Sequence, residues 1–174
     1  MNLLDAISII KNNANNPAQG LPQEVFLMIS SMTPLVNVDL LIKDEKGRTL
    51  LAWRDDLHCS TGWHIPGGII RYRETLETRL QKVAQSELGI NKIDFHPKHI
   101  SVNELIHHER EERCHFISFL YECYLPSTFE PKNSSSKLYP GFLKWHDNSP
   151  SDLIKYHDLY VDDINNPRLH KNES

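Results

Sequence analysis

The segment from Gly67 to Ile90, a glycine-rich turn followed by an amphipathic helix, constrains this chain more than any other part of it. The helical interpretation, from Glu74 to Leu88, places an apolar stripe at helical spacing, formed by Leu76, Leu80, Val83 and Ala84. Glu87 falls on that stripe, roughly 20° from Leu80 at about 100° per residue, in the last turn, where the helix dipole disfavours an anion. A buried carboxylate must be paired, protonated or bound to a metal. The alternative is a helix end that emerges into water or forms an ion pair.

The residues before the helix favour a binding site over a solvated helix end. The sequence WHIPGG predicts a strand that ends in a Pro-Gly-Gly turn, which leaves backbone carbonyl and amide groups facing a ligand. Glu74 then begins the helix, where a negative charge is favourable.

This pattern resembles the Nudix hydrolase box, G-x5-E-x7-R-E-U-x-E-E-x-G-U, in which U is aliphatic. The matching positions are Gly68, Glu74, Glu87, Gly89 and Ile90. Lys82 conservatively replaces the arginine, whereas Val83 and Ser86 stand where ordinary Nudix pyrophosphatases carry glutamates. A box that keeps its last acid and loses others is similar to that of the GDP-mannose mannosyl hydrolases, a Nudix subfamily.

The resemblance covers roughly residues 21 to 146 and implies an α/β fold, the Nudix α/β/α sandwich with a mixed β-sheet between helices. We expect an N-terminal extension and linker over residues 1–20, the Nudix hydrolase domain over 21–160 and a C-terminal tail over 161–174. Periodicity and turn residues predict helices at 3–11, 23–31 and 74–88, and strands at 35–42, 49–54, 94–105, 115–124 and 142–146. Ser149 is expected to cap a final helix at 150–156.

The resemblance also implies a magnesium-dependent hydrolase of a nucleotide sugar similar to GDP-mannose, in which water attacks the anomeric carbon and the nucleoside diphosphate leaves. Magnesium prefers octahedral oxygen ligands and keeps several waters. The subfamily resemblance assigns it the Glu87 carboxylate and the Gly67 carbonyl. Gly68 and Glu74 would then support the turn and the start of the helix.

Two charged residues of the first strands fall on functional positions of the subfamily. Arg54 would place a fixed positive charge against the leaving diphosphate, or else form a surface salt bridge at a strand end. Asp39 would orient the sugar or an arginine, or else be a strand acid held by backbone amides.

The general base is the least defined part of the expected site. The subfamily inverts at the sugar carbon, so a base must activate water, and histidine suits that task near neutral pH. A Gln-His pair expected before the strand of Trp145 is missing from SSSKLYPGFLKW. The alternatives are His107 and His108, with His115 and His146 as weaker candidates. Each of these histidines could instead be structural.

Two other functions stay open. The chain could hydrolyse a phosphoanhydride in another nucleoside diphosphate derivative, or it could be a catalytically silent Nudix domain that binds a nucleotide or a protein. The missing carboxylates and base favour the silent domain, whereas an enzyme is favoured by the retention of Arg54, Glu74, Glu87 and Gly89.

Residues 21–31 predict a short helix that is too small to be stable alone, with an apolar face formed by Leu21, Val25, Phe26 and Ile29. In the resembling subfamily this segment crosses to the partner of a homodimer and contributes to the nucleotide site. Phe26 would then stack on the base. The alternative is that Phe26 packs within its own subunit.

The resemblance implies a nucleotide-sugar substrate and a homodimer, whereas composition argues against other kinds of partner. A formal net charge of -4, with no stripe of Lys and Arg, argues against nucleic acid. No apolar run approaches the roughly 18 residues of a membrane span, and residues 1–20 lack the basic start of a secretory signal, so we expect a cytoplasmic protein. The three cysteines, at 59, 114 and 123, are too widely spaced for a disulfide framework or a paired zinc knuckle.

Overall fold

The computed structural model describes residues 2–55, 60–95, 101–133 and 135–166. Its strands are β1 Leu35–Lys43, β2 Thr49–Arg54, β3 Gly62–His64, β4 Gly67–Ile69, β5 Asp94–Phe95, β6 Ser101–Ile106, β7 His115–Tyr124 and β8 Leu143–His146. Its α-helices are α1 Leu3–Ala14, α2 Gln23–Ser30, α3 Leu76–Val83 and α4 Val161–Asn165. A π-helical turn at Ala84–Leu88 continues α3, and a 3-10 helix at Lys155–Tyr160 precedes α4.

The strands form one mixed sheet whose centre is a parallel pair. β1 runs beside β7 over its whole length, from Leu35 opposite Phe116 to Lys43 opposite Tyr124. The other pairs are antiparallel: β2 and β4 lie on β1, β5 and β6 on β7, and β3 and β8 on β2. β1 and β7 are therefore covered by neighbours along both edges for part of their length, which suits their apolar sequences.

Side chains of β1 alternate between two apolar clusters, one on each face of the sheet. Leu40 belongs to a cluster with Leu80 of α3 and Leu88 of the π-helical turn. Leu41 belongs to a second cluster that contains Tyr160 and Ile164 at the C-terminal end. Helical segments thus cover both faces, and the expected α/β/α sandwich with a mixed sheet is confirmed.

The helix that follows the Pro-Gly-Gly turn departs from its predicted bounds at both ends. It begins at Leu76 rather than Glu74, because the Thr75 hydroxyl caps it by accepting a hydrogen bond from the Thr78 backbone N–H at 3.1 Å. The α-helical part ends at Val83, and the remaining residues to Leu88 form the π-helical turn.

The predicted final helix at 150–156 is wrong, because a turn at 151–152 and a bridge between Leu153 and Trp63 of β3 occupy this segment. The backbone N–H of Trp63 donates to the Asp152 carbonyl, and the N–H of Ile154 donates to the Trp63 carbonyl, each at 2.9 Å. Helix formation starts at Lys155 instead. Ile164 of α4 lies past the expected end of the domain at residue 160 and is fully buried.

The remaining elements agree with the predictions apart from their bounds. The strand predicted at 94–105 corresponds to β5 and β6, and residues 96–100 between them lie outside the described ranges. The short strand β4 was not predicted, and neither was α4, which lies in the expected C-terminal tail over 161–174. Cys114 and Cys123 are free thiols, and Cys59 lies outside the described residues. Within the described ranges, no helix combines the length and the apolar character that a membrane crossing requires.

Candidate active site

A cavity of about 280 Å³ opens between the first half of β1, the end of β2, and the loop that leads into β7. Its wall includes Asp39 of β1, Arg54 of β2, Gly67 of β4, and His107 in the loop that joins β6 to β7. The segment that leads into α4 closes it with Ile154, Tyr156 and His157. The cavity therefore collects several polar residues that are distant in sequence.

Asp39 is buried in this wall and accepts hydrogen bonds from three side chains. Ser118 Oγ donates at 2.5 Å, Tyr160 Oη at 2.7 Å and Asn37 Nδ2 at 2.8 Å. Burial raises the pKa of Asp39, although these hydrogen bonds and the charge of Arg54 act to lower it. The observed partners of the carboxylate are side chains, and the role of Asp39 towards a sugar or an arginine stays a prediction.

Glu87 lies half-buried in the π-helical turn, which has a wider register than an α-helix and ends at Gly89 with a φ of 69°. Burial raises the pKa of Glu87 to about 7, whereas the charge of Arg54 and a hydrogen bond from the Gly67 backbone act to lower it. Such a carboxylate does not belong to a solvated helix end.

The turn requires glycine at both positions, because atoms of neighbouring residues lie close to each Cα. A side chain at Gly67 would collide with Asp39 Oδ1 and the Val38 carbonyl oxygen. A Cβ atom at Gly68 would lie 2.8 Å from Val83 Cγ2. Val83, which stands where the box usually carries a glutamate, is thus an apolar packing residue of α3.

Arg54 connects these groups electrostatically. It is half-buried, it lines the cavity, and its charge lowers the pKa of both Asp39 and Glu87. Gly67 lies directly opposite Asp39 in the β1–β4 pair. The structure thus brings together Asp39, Arg54, Gly67 and Glu87, although Glu87 does not line the cavity and is linked to it by the hydrogen bond from the Gly67 backbone.

The donor set at Gly67 and Glu87 fits magnesium better than zinc. In the described part of the chain, no group of three or more His, Cys, Asp or Glu side chains is arranged to hold a metal ion, whereas structural zinc takes about four side-chain ligands. Magnesium takes one or two carboxylates and completes its shell with water and substrate phosphates. A half-buried carboxylate that accepts a hydrogen bond from the partly exposed Gly67 backbone suits that kind of ligation.

Glu74 orders the turn and the start of α3 from outside the cavity. It accepts a hydrogen bond from the Arg71 backbone N–H at 3.0 Å and forms ion pairs with Arg79 at 2.5 Å and Lys82 at 2.9 Å. Burial acts to raise the pKa of Glu74, but the hydrogen bonds from Arg71, Lys82 and Arg79 outweigh it and lower the pKa from 4.5 to about 2.

We expect Glu74→Gln to lower the free energy of unfolding by about 2 to 3 kcal/mol at pH 7, the scale of a shift of this size in a little-exposed carboxyl. A carboxyl group whose pKa is depressed in the folded state stabilises that state at pH values above the unfolded pKa of 4.5. This stabilisation is lost as the pH falls towards 2. Urea unfolding at several pH values should therefore show the variant and the parent converging below pH 4.5. Glu77→Gln, an exposed change in the first turn of α3, is the control and should cost under about 1 kcal/mol. A pH-independent difference would contradict the assignment.

The candidate histidines occupy different environments. His107 is buried in the cavity wall, its Nδ1 has no hydrogen-bond partner among the described residues, and burial lowers its pKa. His108 is exposed on the adjacent turn and does not line the cavity. His115 Nε2 lies 3.0 Å from Glu104 Oε1, and His146 packs edge-on against Trp63. Neither of these two lines the cavity.

Two further histidines in the cavity wall were missed by the sequence analysis. His64 Nδ1 lies 2.7 Å from the Ala52 carbonyl, which can only accept, so Nδ1 carries the proton. His157 Nδ1 accepts from the Ile65 backbone N–H at 3.0 Å, so its Nε2 carries the proton in the neutral ring. Burial lowers the pKa of His157 well below its usual value. Alternation along WHIPGG could have indicated His64, whereas no local pattern marks His157.

Helix α2 packs against the same chain rather than extending away from it. The guanidinium of Arg113 lies over the Phe26 ring at 5.9 Å, and Ser30 Oγ accepts from the Arg113 backbone N–H at 3.1 Å. Phe26 itself does not line the cavity. The stacking of Phe26 on a nucleotide base and the homodimer remain predictions.

Comparisons with known proteins agree with this architecture. The family model described as NUDIX domain matches residues 33–159. The low-salt glycan biosynthesis protein Agl8 of Haloferax volcanii is 37% identical over 81 residues, which are 47% of this chain and 51% of that protein. The chain thus spans about half the length of the curated relative it matches.

Two solved structures are similar over most of their length. The MutT protein of Methanosarcina mazei Go1 superposes with a TM-score of 0.58 at 20% identity, covering 76% of this chain and 94% of that one. A MutT NUDIX hydrolase of Burkholderia pseudomallei superposes with a TM-score of 0.56 at 21% identity, covering 75% of this chain and 97% of that one. At these identities the likeness shows the fold alone.

Proposed function

This chain belongs to the Nudix hydrolase family, and from that premise we propose that it is a magnesium-dependent hydrolase of a nucleotide sugar similar to GDP-mannose. The convergence of Glu87, Gly67 and Arg54 beside one cavity carries the proposal. The name of the relative Agl8 refers to glycan biosynthesis, which supports a sugar-containing substrate. The apolar packing of Val83, in place of a further carboxylate, supports a mannosyl-hydrolase type of box over that of the ordinary pyrophosphatases.

In this proposal the diphosphate of the substrate lies between the Pro-Gly-Gly turn and Arg54. The Glu87 carboxylate and the Gly67 carbonyl would hold the metal, and a bound magnesium ion would neutralise the diphosphate and make the nucleoside diphosphate a better leaving group. Arg54 adds a fixed positive charge on the leaving diphosphate. Asp39 is held by Ser118 and Tyr160, and its negative charge attracts the guanidinium of Arg54.

We assign the general base to His107 rather than His108. His107 lines the cavity and its lowered pKa keeps the ring neutral at physiological pH, as a base requires. We expect His107→Gln to lower kcat by about a hundredfold or more while substrate affinity changes little. The part of the acid limb of the parent pH–rate profile that lies below the usual histidine pKa of 6.5 should disappear with it, whereas the part set by Glu87, whose pKa is about 7, should stay.

The matched control is His108→Gln, which changes the neighbouring exposed histidine and should leave kcat within about twofold of the parent. A His107→Gln variant that keeps the parental rate and the whole acid limb would sink this assignment.

The function is tested by incubating the protein with magnesium and a panel of nucleotide sugars, with the products resolved by phosphorus NMR. Free sugar and a nucleoside diphosphate are the expected products. A sugar phosphate and a nucleoside monophosphate would instead identify a phosphoanhydride hydrolase. Binding of a nucleotide sugar without turnover of any member of the panel would identify a silent domain.

A further inference from the structure

The cavity carries more positive charge than the proposed reaction uses. Its wall contains Arg54, Arg110 and Arg113 but, among the described residues, a single carboxylate, that of Asp39. Asp39 is already bonded to Asn37 and two hydroxyl groups and lies within the field of Arg54. Arg110 and Arg113 are therefore not neutralised by an acid of the cavity wall.

Arg113 is half-buried, and its donors are incompletely used. Its Nε atom is buried and has no hydrogen-bond partner in the described structure. Leaving a buried charged donor unsatisfied is costly, and such groups are usually satisfied by protein, by water or by a ligand. The ring of Phe26 below the guanidinium and the hydroxyl of Ser30 on the backbone N–H hold Arg113 in place without neutralising it.

Arg110 is held in place by a long ion pair and by an aromatic ring, and neither of its partners is a carboxylate of the cavity wall. The nearest carboxylate oxygen, Glu109 Oε1, is 4.0 Å from Arg110 Nε, and that oxygen already accepts a hydrogen bond from the Tyr156 hydroxyl. The Tyr156 ring lies 4.9 Å from the Arg110 guanidinium carbon. An aromatic ring orients a guanidinium without neutralising its charge, and it leaves the N–H groups available to an anion.

We propose that Arg110 and Arg113 form a second anion site that binds a carboxylate or phosphate substituent of the substrate other than its diphosphate. This inference rests on the proposed function and narrows it to nucleotide sugars with an additional acidic group, on the sugar or on the ribose. Arg54 ends β2, whereas the loop with Arg110 and Arg113 leads into β7, on the other side of β1. Two strand spacings are about 10 Å, so Arg54 and the other two arginines start from separate parts of the backbone around one cavity.

Matched pairs of substrates test the site. UDP-glucuronate and UDP-glucose differ in a sugar carboxylate, and ADP-ribose 2′-phosphate and ADP-ribose differ in a ribose phosphate. We expect the parent to prefer the acidic member of one pair by about tenfold or more in kcat/KM, since hydrogen bonds to charged groups are worth that much. The pair that shows the preference identifies the source of the anion.

Variants then assign the preference to residues. Arg113→Gln and Arg110→Gln should each reduce the ratio of acidic to neutral kcat/KM about tenfold, and Arg113→Lys should restore part of it. Lys155→Gln is the control, because Lys155 is an exposed cation beside Tyr156 that does not line the cavity, and it should leave the ratio unchanged. A parent without preference in either pair overturns the inference. So does an equal loss for both members in Arg113→Gln, which would place Arg113 on the common diphosphate.

Binding measurements distinguish a failure of this inference from a failure of the proposed function. If no pair is hydrolysed, calorimetry of the same four compounds in the presence of calcium still measures the preference, and the panel of nucleotide sugars decides the proposed function separately. Tighter binding of an acidic member to the parent, lost in Arg113→Gln, supports the second anion site without turnover. Equal binding overturns it. Hydrolysis of neutral members without preference leaves the proposed function standing and the second anion site refuted.

Discussion

Replacement of Glu87 by glutamine is expected to abolish magnesium-dependent turnover while making the folded protein more stable in the absence of metal. The amide fills the same space but brings no charge to a cation, so we expect a loss of about a thousandfold or more, equivalent to about 4 kcal/mol. The carboxylate has a folded-state pKa raised from 4.5 to about 7. A raised carboxyl pKa destabilises the folded state increasingly from pH 4.5 to pH 7. The free energy of unfolding of the variant should therefore exceed that of the parent by about 2 to 3 kcal/mol at neutral pH.

Urea unfolding with and without magnesium checks both parts of this prediction. Magnesium should raise the unfolding midpoint of the parent, because it binds the folded chain, and should leave that of Glu87→Gln unchanged. Glu77→Gln, an exposed acid of α3, is the control and should keep turnover and the magnesium effect. A Glu87→Gln protein that turns over substrate at the parental rate would refute the assignment of Glu87 as metal ligand.

Replacement of Arg54 by alanine is expected to cost about 2 to 4 kcal/mol of transition-state stabilisation, roughly thirtyfold to a thousandfold in kcat/KM. The side chain is a preorganised positive charge that faces the cavity. Because Arg54 lowers the pKa of Asp39 and of Glu87, its removal should also move the ionisations of these carboxyls to higher pH. The pH–rate profile of the residual activity should shift in the same direction.

Lys144→Ala removes an exposed cation from β8 and serves as the matched control for Arg54→Ala. It should change kcat/KM by less than about threefold. An effect of Arg54→Ala below tenfold, with an unshifted pH profile, would reduce Arg54 to a strand-end residue without a role in the reaction.

The local part of the site could be predicted from sequence because the chemistry and the fold use the same short segment. The turn at Gly67, the helix start at Glu74 and the acid at Glu87 lie within one continuous stretch. The spacing of these three residues along the sequence therefore sufficed to predict this part of the site. A strict helical period still missed the π-helical turn, because an inserted residue changes the register without leaving a sequence signal.

The non-local part could not be predicted, because it depends on strand register. Asp39 obtains its partners Ser118 and Tyr160 from positions 79 and 121 residues away. Nothing near Asp39 in sequence distinguishes those hydroxyl groups from others in the chain. The same holds for Arg110 and Arg113, whose loop looks like a solvated polar run until β7 is placed beside β1.

The parallel pairing of β1 with β7 also governs when the cavity can come into existence. Loop closure over such a distance is slow compared with hairpin formation, so β1 and β2 can pair early while β7 joins late. During synthesis, the edge of β1 that later pairs with β7 stays unpaired until about eighty further residues have been added. Ser118 reaches Asp39 only when β7 lies beside β1, so this wall of the cavity is complete only once this distant strand pairing has formed.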